Sequence, residues 1–100
     1  MGFRAVLRTE QGEELRSLPR YHDQLVLWPE RGSYPMLGHI DPHGDTVFNN
    51  LQMQTLEAEL RHLLETGPGN DQKREFVEQL ISLCVEGVRR PHRYLWLIGD

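Results

Sequence analysis

Two apolar stripes at helical spacing follow one another in the second half of the chain, and they limit the fold more than any other pattern. Asn49 or Asn50 can cap the first helix, whose stripe is Met53, Leu56, Leu60, Leu63 and Leu64. The breaking segment Thr66-Gly67-Pro68-Gly69 ends it, and Asn70 or Asp71 can cap a second helix with the stripe Phe76, Val77, Leu80, Ile81, Cys84 and Val88. Two antiparallel amphipathic helices follow, and each must bury one side against another layer.

Short apolar stretches with strand patterns provide that layer. The predicted strands are residues 3–8, 14–18, 24–28, 36–40, 45–49 and 94–98. Tyr94 to Ile98 is apolar at every position, which is typical of a strand buried on both faces inside a sheet. We therefore expect an α+β fold with a mainly antiparallel sheet of five to six strands and the two helices on one face. The expected order is β-β-β-β-β-α-α-β, and 100 residues form one domain, 1–100.

The segment that joins the fourth and fifth predicted strands, with the strand ends beside it, has four potential metal ligands at alternate positions, namely His39, Asp41, His43 and Asp45. Imidazole and carboxylate groups suit zinc, manganese or iron. A small metal-dependent enzyme or hydrolase built on these four residues is therefore one hypothesis for the chain.

The same segment also has the residues of a type I turn. Asp41 at its first position can cap backbone amides, Pro42 at the second fixes φ, and Gly44 at the fourth accepts a positive φ. This pattern predicts a hairpin between strands 36–40 and 45–49, with Ile40 facing Thr46. Because a turn separates His43 from His39, we favour the hairpin over a metal site.

The charge balance argues against some partners. Eleven basic and fifteen acidic residues give a net charge of −4, which opposes attraction to phosphate backbones and to anionic membranes. The one basic cluster, Arg89, Arg90 and Arg93, follows the second predicted helix, where positive charge complements the helix dipole. We therefore expect neither a nucleic-acid partner nor a membrane partner.

Cysteine usage and hydropathy indicate the compartment. Cys84 is the single cysteine, so the chain forms no internal disulfide, and its apolar neighbours predict an inert core thiol. No apolar run resembles a signal peptide or a membrane span. We expect a soluble cytoplasmic protein.

Common enzyme motifs are absent. The sequence has no Gly-x-Ser-x-Gly elbow, phosphate-binding loop, Cys-x-x-Cys pair or His-Glu-x-x-His motif. We therefore predict a binding or accessory protein, such as an adaptor, an inhibitor or an immunity-type partner, that uses no cofactor. The predicted contacts with another protein are Tyr21, Trp28, Arg31 and Tyr34. A second copy is also a candidate partner, because the helices cover one side of the sheet and leave the other to Leu25, Leu27, Leu37 and Val47.

Overall fold

The computed structural model describes residues 2–18, 21–22, 34–41, 43–66 and 71–99. Its elements, in chain order, are β1 (Gly2–Thr9), β2 (Glu14–Ser17), β3 (Tyr21–His22), a 3-10 helix (Leu37–His39), β4 (Asp45–Phe48), α1 (Asn50–Thr66), α2 (Asp71–Val88) and β5 (Arg93–Ile98). Two helices and one antiparallel sheet confirm the predicted α+β class.

The sheet has four strands in the order β2-β1-β5-β4, and the two-residue β3 pairs with the first residues of β1. The prediction of five to six strands was therefore wrong for the described residues, and so was the predicted element order. The expected strand at 24–28 lies outside the described residues. β5 lies between β1 and β4, which confirms that the last strand is inside the sheet.

One hydrophobic core joins the helices to one face of the sheet. Inward residues alternate along each strand, as the pleat requires. The inward residues of β1, β4 and β5 are Ala5, Leu7, Thr46, Phe48, Leu95 and Leu97, and all are buried. They pack with the predicted stripes of both helices, including Met53, Leu60, Phe76 and Leu80.

β5 is buried on one face only. Leu95 and Leu97 are fully buried, whereas Tyr94, Trp96 and Ile98 are half-buried on the opposite face. The prediction of burial on both faces was therefore wrong. A continuous apolar run hides this difference, because it contains no polar residue to mark the exposed side.

The segment 36–40 is not a strand but contains the 3-10 helix Leu37–His39. A buried carboxylate explains the difference. Glu59 of α1 accepts the Met36 amide at 3.0 Å through Oε2 and the Leu37 amide at 2.9 Å through Oε1. Because these amides are bonded to a side chain, they are not free to form a strand ladder.

The turn at residues 41–44 has the predicted Asp41 hydrogen bonds, but it does not join two strands. The Gly44 amide donates to the Asp41 carbonyl at 3.4 Å, and the His43 amide donates to Asp41 Oδ1 at 2.9 Å. The turn joins the 3-10 helix to β4, so the predicted hairpin with Ile40 facing Thr46 was wrong. Gly44 does not have the expected positive φ. A Cβ at this position would lie 2.8 Å from Asp41 Oδ2, so any other residue would displace the Asp41 carboxylate.

Side-chain bonds define the start of α1. The Gln52 amide donates to Asn49 Oδ1 at 2.9 Å, and the Asn49 amide donates to Gln52 Oε1 at the same distance. This reciprocal pair is a capping box, and it identifies Asn49 as the cap. The chain therefore passes from β4 into α1 through one residue.

Gly87 of α2 lies against Met53 of α1 and Leu7 of β1. A Cβ at this position would lie 2.5 Å from Met53 Sδ and 3.1 Å from Leu7 Cδ1. A side chain here would displace the end of the Met53 side chain, which offsets the higher helix propensity that another residue would bring.

No helix in the described part of the chain is long and apolar enough to cross a bilayer.

Candidate functional site

The four predicted metal ligands are exposed and lie along one surface segment. His39 ends the 3-10 helix, and the Asp41 carboxylate is bonded to the His43 amide. Within the described residues, no group of three or more His, Cys, Asp or Glu side chains could hold a metal ion. The structure therefore gives the metal-site hypothesis no geometric support.

Of the four residues predicted to contact another protein, only the side chain of Tyr34 is described by the structure. Trp28 and Arg31 lie outside the described residues, and Tyr21 is described only through its backbone pairing with Phe3. Tyr34 is half-buried, and its hydroxyl lies 2.7 Å from His62 Nδ1. The rings of Tyr34 and His62 meet edge to face, so this tyrosine holds its loop against α1.

The prediction of which residues lie on the sheet face away from the helices was wrong for Leu37 and right for Val47. Leu37 is in the core and 1% exposed, because the 3-10 helix turns it inward. Val47 does lie on the side of the sheet away from the helices and is 39% exposed. Leu25 and Leu27 are outside the described residues.

We use the term outer face for the sheet surface opposite the helices. Its central residues alternate with the core residues of β1, β4 and β5, and they are Arg4, Val6, Arg8, Asp45, Val47, Tyr94, Trp96 and Ile98. The register places Trp96 between Val6 on one side and Val47 on the other. Val6 is fully buried although it lies on the outer face, whereas Val47 is 39% exposed and Trp96 is half-buried.

An arginine and two aromatic residues meet on the outer face. Tyr94 and Trp96 are two residues apart on β5, so their side chains leave the sheet on the same side. Arg8 pairs with Tyr94 across the ladder, and its guanidinium carbon lies 4.9 Å from the centroid of the Trp96 ring. This distance is within the range of a cation–π contact.

A cavity of about 300 Å³ opens beside these rings. Its lining is mostly apolar and consists of Thr9, Glu10, Gly12, Val47, Tyr94 and Trp96. Glu10 is the one charged residue of the lining, and its Oε2 lies 2.9 Å from Nδ1 of His92. The site can therefore accept an apolar group and has a carboxylate in its wall.

The turn between β1 and β2 forms one wall of the cavity. The Gly12 amide donates to the Thr9 carbonyl at 2.9 Å, and the Glu13 amide donates to Thr9 Oγ1 at 3.1 Å. Gly12 has a φ of +90°, a conformation that glycine adopts without a steric cost. This wall is thus held by its own hydrogen bonds.

The sequence interpretation did not identify Tyr94 and Trp96 as surface residues. A signal was present, since Arg4 and Arg8 alternate with the apolar residues of β1. An arginine on one face of a central strand indicates that this face reaches solvent. The neighbouring strand must then expose its own alternate residues on the same face.

Two other predicted groups have structural roles. Arg93 Nη1 donates to the Glu86 carbonyl at 2.8 Å near the end of α2, where a positive charge complements the helix dipole. Cys84 is fully buried. Burial, with a smaller contribution from the negative charge of Glu57, raises the pKa of its thiol from 9.0 to about 12. The thiol is therefore protonated and unreactive at neutral pH.

No protein-family model, curated protein or solved structure matches the chain.

Proposed function

We propose that the protein binds another polypeptide through the outer face of its sheet, and that the cavity beside Trp96 receives an apolar side chain of this partner. The supporting observation is that two aromatic side chains lie next to an unfilled volume of about 300 Å³. Protein interfaces concentrate their binding energy in a few Trp, Tyr and Arg residues near such pockets. Trp96, Tyr94 and Arg8 are residues of these three types.

The size and walls of the cavity favour a single anchoring side chain. Ligand pockets range from about 300 to 1,000 Å³, so this cavity is at the small end of that range. Val47 and Trp96 provide apolar contact. Glu10 lies in the wall, so a partner with a basic residue next to its apolar anchor is favoured by charge.

A protein that acts in this way would be an adaptor, an inhibitor or an immunity-type partner rather than an enzyme. We also propose that it acts in the cytoplasm. The unpaired and buried Cys84 is compatible with a reducing compartment. The alternative of a metal-dependent enzyme has no specific observation in its favour among the described residues.

Site-specific photocrosslinking in the native cells tests the proposal. A photoreactive benzoyl-phenylalanine replaces Tyr94 in one variant and Leu15 of β2 in a matched control. Leu15 is 36% exposed, so the control probe is also accessible. We expect one discrete adduct from position 94 after illumination and none from position 15. Mass spectrometry of the adduct identifies the partner and the residue bound in the cavity.

Two results would contradict the proposal. One is the absence of any adduct from position 94 when circular dichroism shows that the variant is folded. The other is the same set of adducts from both positions, because this would indicate random collisions.

A further inference from the structure

The cavity beside Trp96 combines aromatic rings with a carboxylate. Tyr94 and Trp96 of β5 line it together with Val47 of β4, and Glu10 of the β1–β2 turn lies in its wall. Aromatic rings attract cations through their electron-rich faces, and clusters of such rings bind quaternary ammonium groups. The lining therefore has both of the features that stabilise a cation with an apolar surface.

One of these rings already holds a cation. The Arg8 guanidinium carbon lies over the Trp96 ring, 4.9 Å from its centroid. Arg8 is not one of the residues that line the cavity, so a ligand and Arg8 need not occupy the same part of the ring. Glu14 stands opposite Arg8 in the ladder between β1 and β2, which places a carboxylate against the charge of this arginine.

The turn that forms one wall of the cavity is acidic. Positions 10–14 include three glutamates, Glu10, Glu13 and Glu14. Glu14 pairs with Arg4 at 3.1 Å, and Glu10 contacts His92. Among the described residues, no cation lies within ion-pair distance of Glu13, whose side chain is exposed. The charge of this wall therefore favours a cation over an anion.

A trimethylated ammonium group suits this lining better than an unmodified one. A lysine ammonium has three N–H donors, and each needs an acceptor when it is buried. The Glu10 carboxylate already has His92 Nδ1 at 2.9 Å from its Oε2. A trimethylammonium group has no N–H donor, so it can lie beside Glu10 without displacing His92. An uncharged aliphatic group would instead set this carboxylate against hydrocarbon and gain nothing from its charge.

We propose that the side chain received by the cavity is a trimethylated lysine of the partner polypeptide. Its methyl groups and aliphatic stem contact Tyr94, Trp96 and Val47, and its positive charge lies near Glu10. The inference rests on the proposed function, because it names the residue that enters the cavity. It is also narrower, since an uncharged apolar anchor would satisfy the proposed function and contradict this inference.

A matched pair of peptides tests the role of the charge. Both have the sequence Gly-Ser-X-Ser-Gly, where X is trimethyllysine in one and, in the other, the neutral analogue with carbon in place of the quaternary nitrogen. The two side chains have nearly the same shape, so only the interactions of the charge differ. We expect the neutral peptide to bind at least about fivefold more weakly. NMR titration of the Trp96 indole N–H signal measures both Kd values.

Two further ligands identify the molecule that carries the group. The same peptide with unmodified lysine should bind at least about tenfold more weakly, because its N–H donors lose water without gaining enough acceptors. Tetramethylammonium ion has the head group without the lysine stem, so it should also bind more weakly than the trimethyllysine peptide. Equal affinity for the free ion would overturn the assignment to a lysine side chain and indicate a small quaternary ammonium compound.

Two glutamates of the same turn provide matched protein variants. Glu10→Gln keeps the shape of the side chain and removes its charge, so the trimethyllysine peptide should bind about threefold more weakly. The affinity for the neutral peptide should not fall. Glu13→Gln removes one charge from an exposed side chain outside the lining, and it should change either affinity by less than about twofold. Circular dichroism checks that both variants are folded.

Three results would overturn the inference. The first is equal binding of the neutral and the trimethyllysine peptides, which would leave the proposed function intact because an apolar anchor still enters the cavity. The second is no shift of the Trp96 signal with millimolar trimethyllysine peptide. The third is an equal loss of affinity in Glu10→Gln and Glu13→Gln. The photocrosslinked adduct from position 94 decides the proposed function separately from all three.

Discussion

The two outer strands of the sheet, β2 and β4, differ in how they are held and in how they are protected. All four residues of β2 are exposed, whereas β4 alternates exposed and buried residues. β2 is tied to α2 by Arg16, which bonds to Ser82 at 3.1 Å and to Glu86 at 3.4 Å. β4 is tied to the core by Phe48, which is fully buried.

The edge of β2 is better protected against pairing with another strand than the edge of β4, although β4 is the strand attached to the core. β2 has charged residues at two of its four positions, and the register shifts between Leu7 and Arg8 where it pairs with β1. Charges and bulges are the devices by which proteins prevent pairing at sheet edges. β4 has a regular register and exposes Val47. β4 therefore combines a fully buried core residue, Phe48, with an exposed apolar residue, Val47.

The largest expected effect is the loss of the β4 anchor. Phe48→Ala should lower the free energy of unfolding by about 3–5 kcal/mol, because it removes a fully buried aromatic ring and leaves a cavity. Leu15→Ala in β2 is the matched control and should cost less than about 1 kcal/mol. Urea denaturation of both variants measures the difference. Equal losses would refute the contrast between the strands.

The next effect tests the segment that leads into β4. Glu59→Gln replaces an acceptor oxygen by an amide donor that faces the Met36 amide. We expect a loss of about 1–3 kcal/mol, because two donors would face each other where the Met36 amide now donates to Oε2. Glu57→Gln on the same helix removes the ion pair with Arg61, whose two groups are 2.9 Å apart. This variant should cost only a few tenths of 1 kcal/mol. Chemical denaturation distinguishes the two, and similar losses would contradict the structural role of Glu59.

A smaller effect is expected at the attachment of β2. Arg16→Ala should cost at most about 1 kcal/mol, because the arginine is exposed to solvent and Glu86 is only half-buried. The cost should shrink further as salt screens the pair. Thermal melts at low and high ionic strength measure this dependence. A loss as large as that of Phe48→Ala would mean that β2 is anchored as firmly as β4.

The smallest effect is expected from an additional charge on the protected edge. Leu15→Lys should leave the unfolding free energy within about 0.5 kcal/mol of the wild type. It should also leave the sedimentation behaviour unchanged, because the β2 edge is already charged. A change in apparent mass would show that this edge takes part in association.

Local patterns in the sequence predicted much of this fold. The helical stripes identified α1 and α2, since residues three and four apart must share a buried side. The alternation of Arg4 and Arg8 with apolar residues identified β1. Each of these signals is a spacing within one element, so it needs no knowledge of the neighbouring elements.

What the sequence did not predict depends on contacts between distant residues. The segment 36–40 has strand-like composition, but its amides bind a carboxylate more than twenty positions away in α1. The candidate site likewise arises from register, because Trp96 meets Arg8 and Val47 only when β5 lies between β1 and β4. Neither pairing leaves a mark in the local pattern of residues.

The close approach at Gly87 has a consequence for redesign of this protein. A helix-propensity scale would recommend alanine there, with a gain of about 1 kcal/mol. In this fold the added methyl group would overlap the Met53 side chain and press on Leu7, so these fully buried side chains would have to shift. The gain in helix propensity is therefore opposed by the repacking of Met53, and a library intended to stabilise the helices should leave position 87 unchanged.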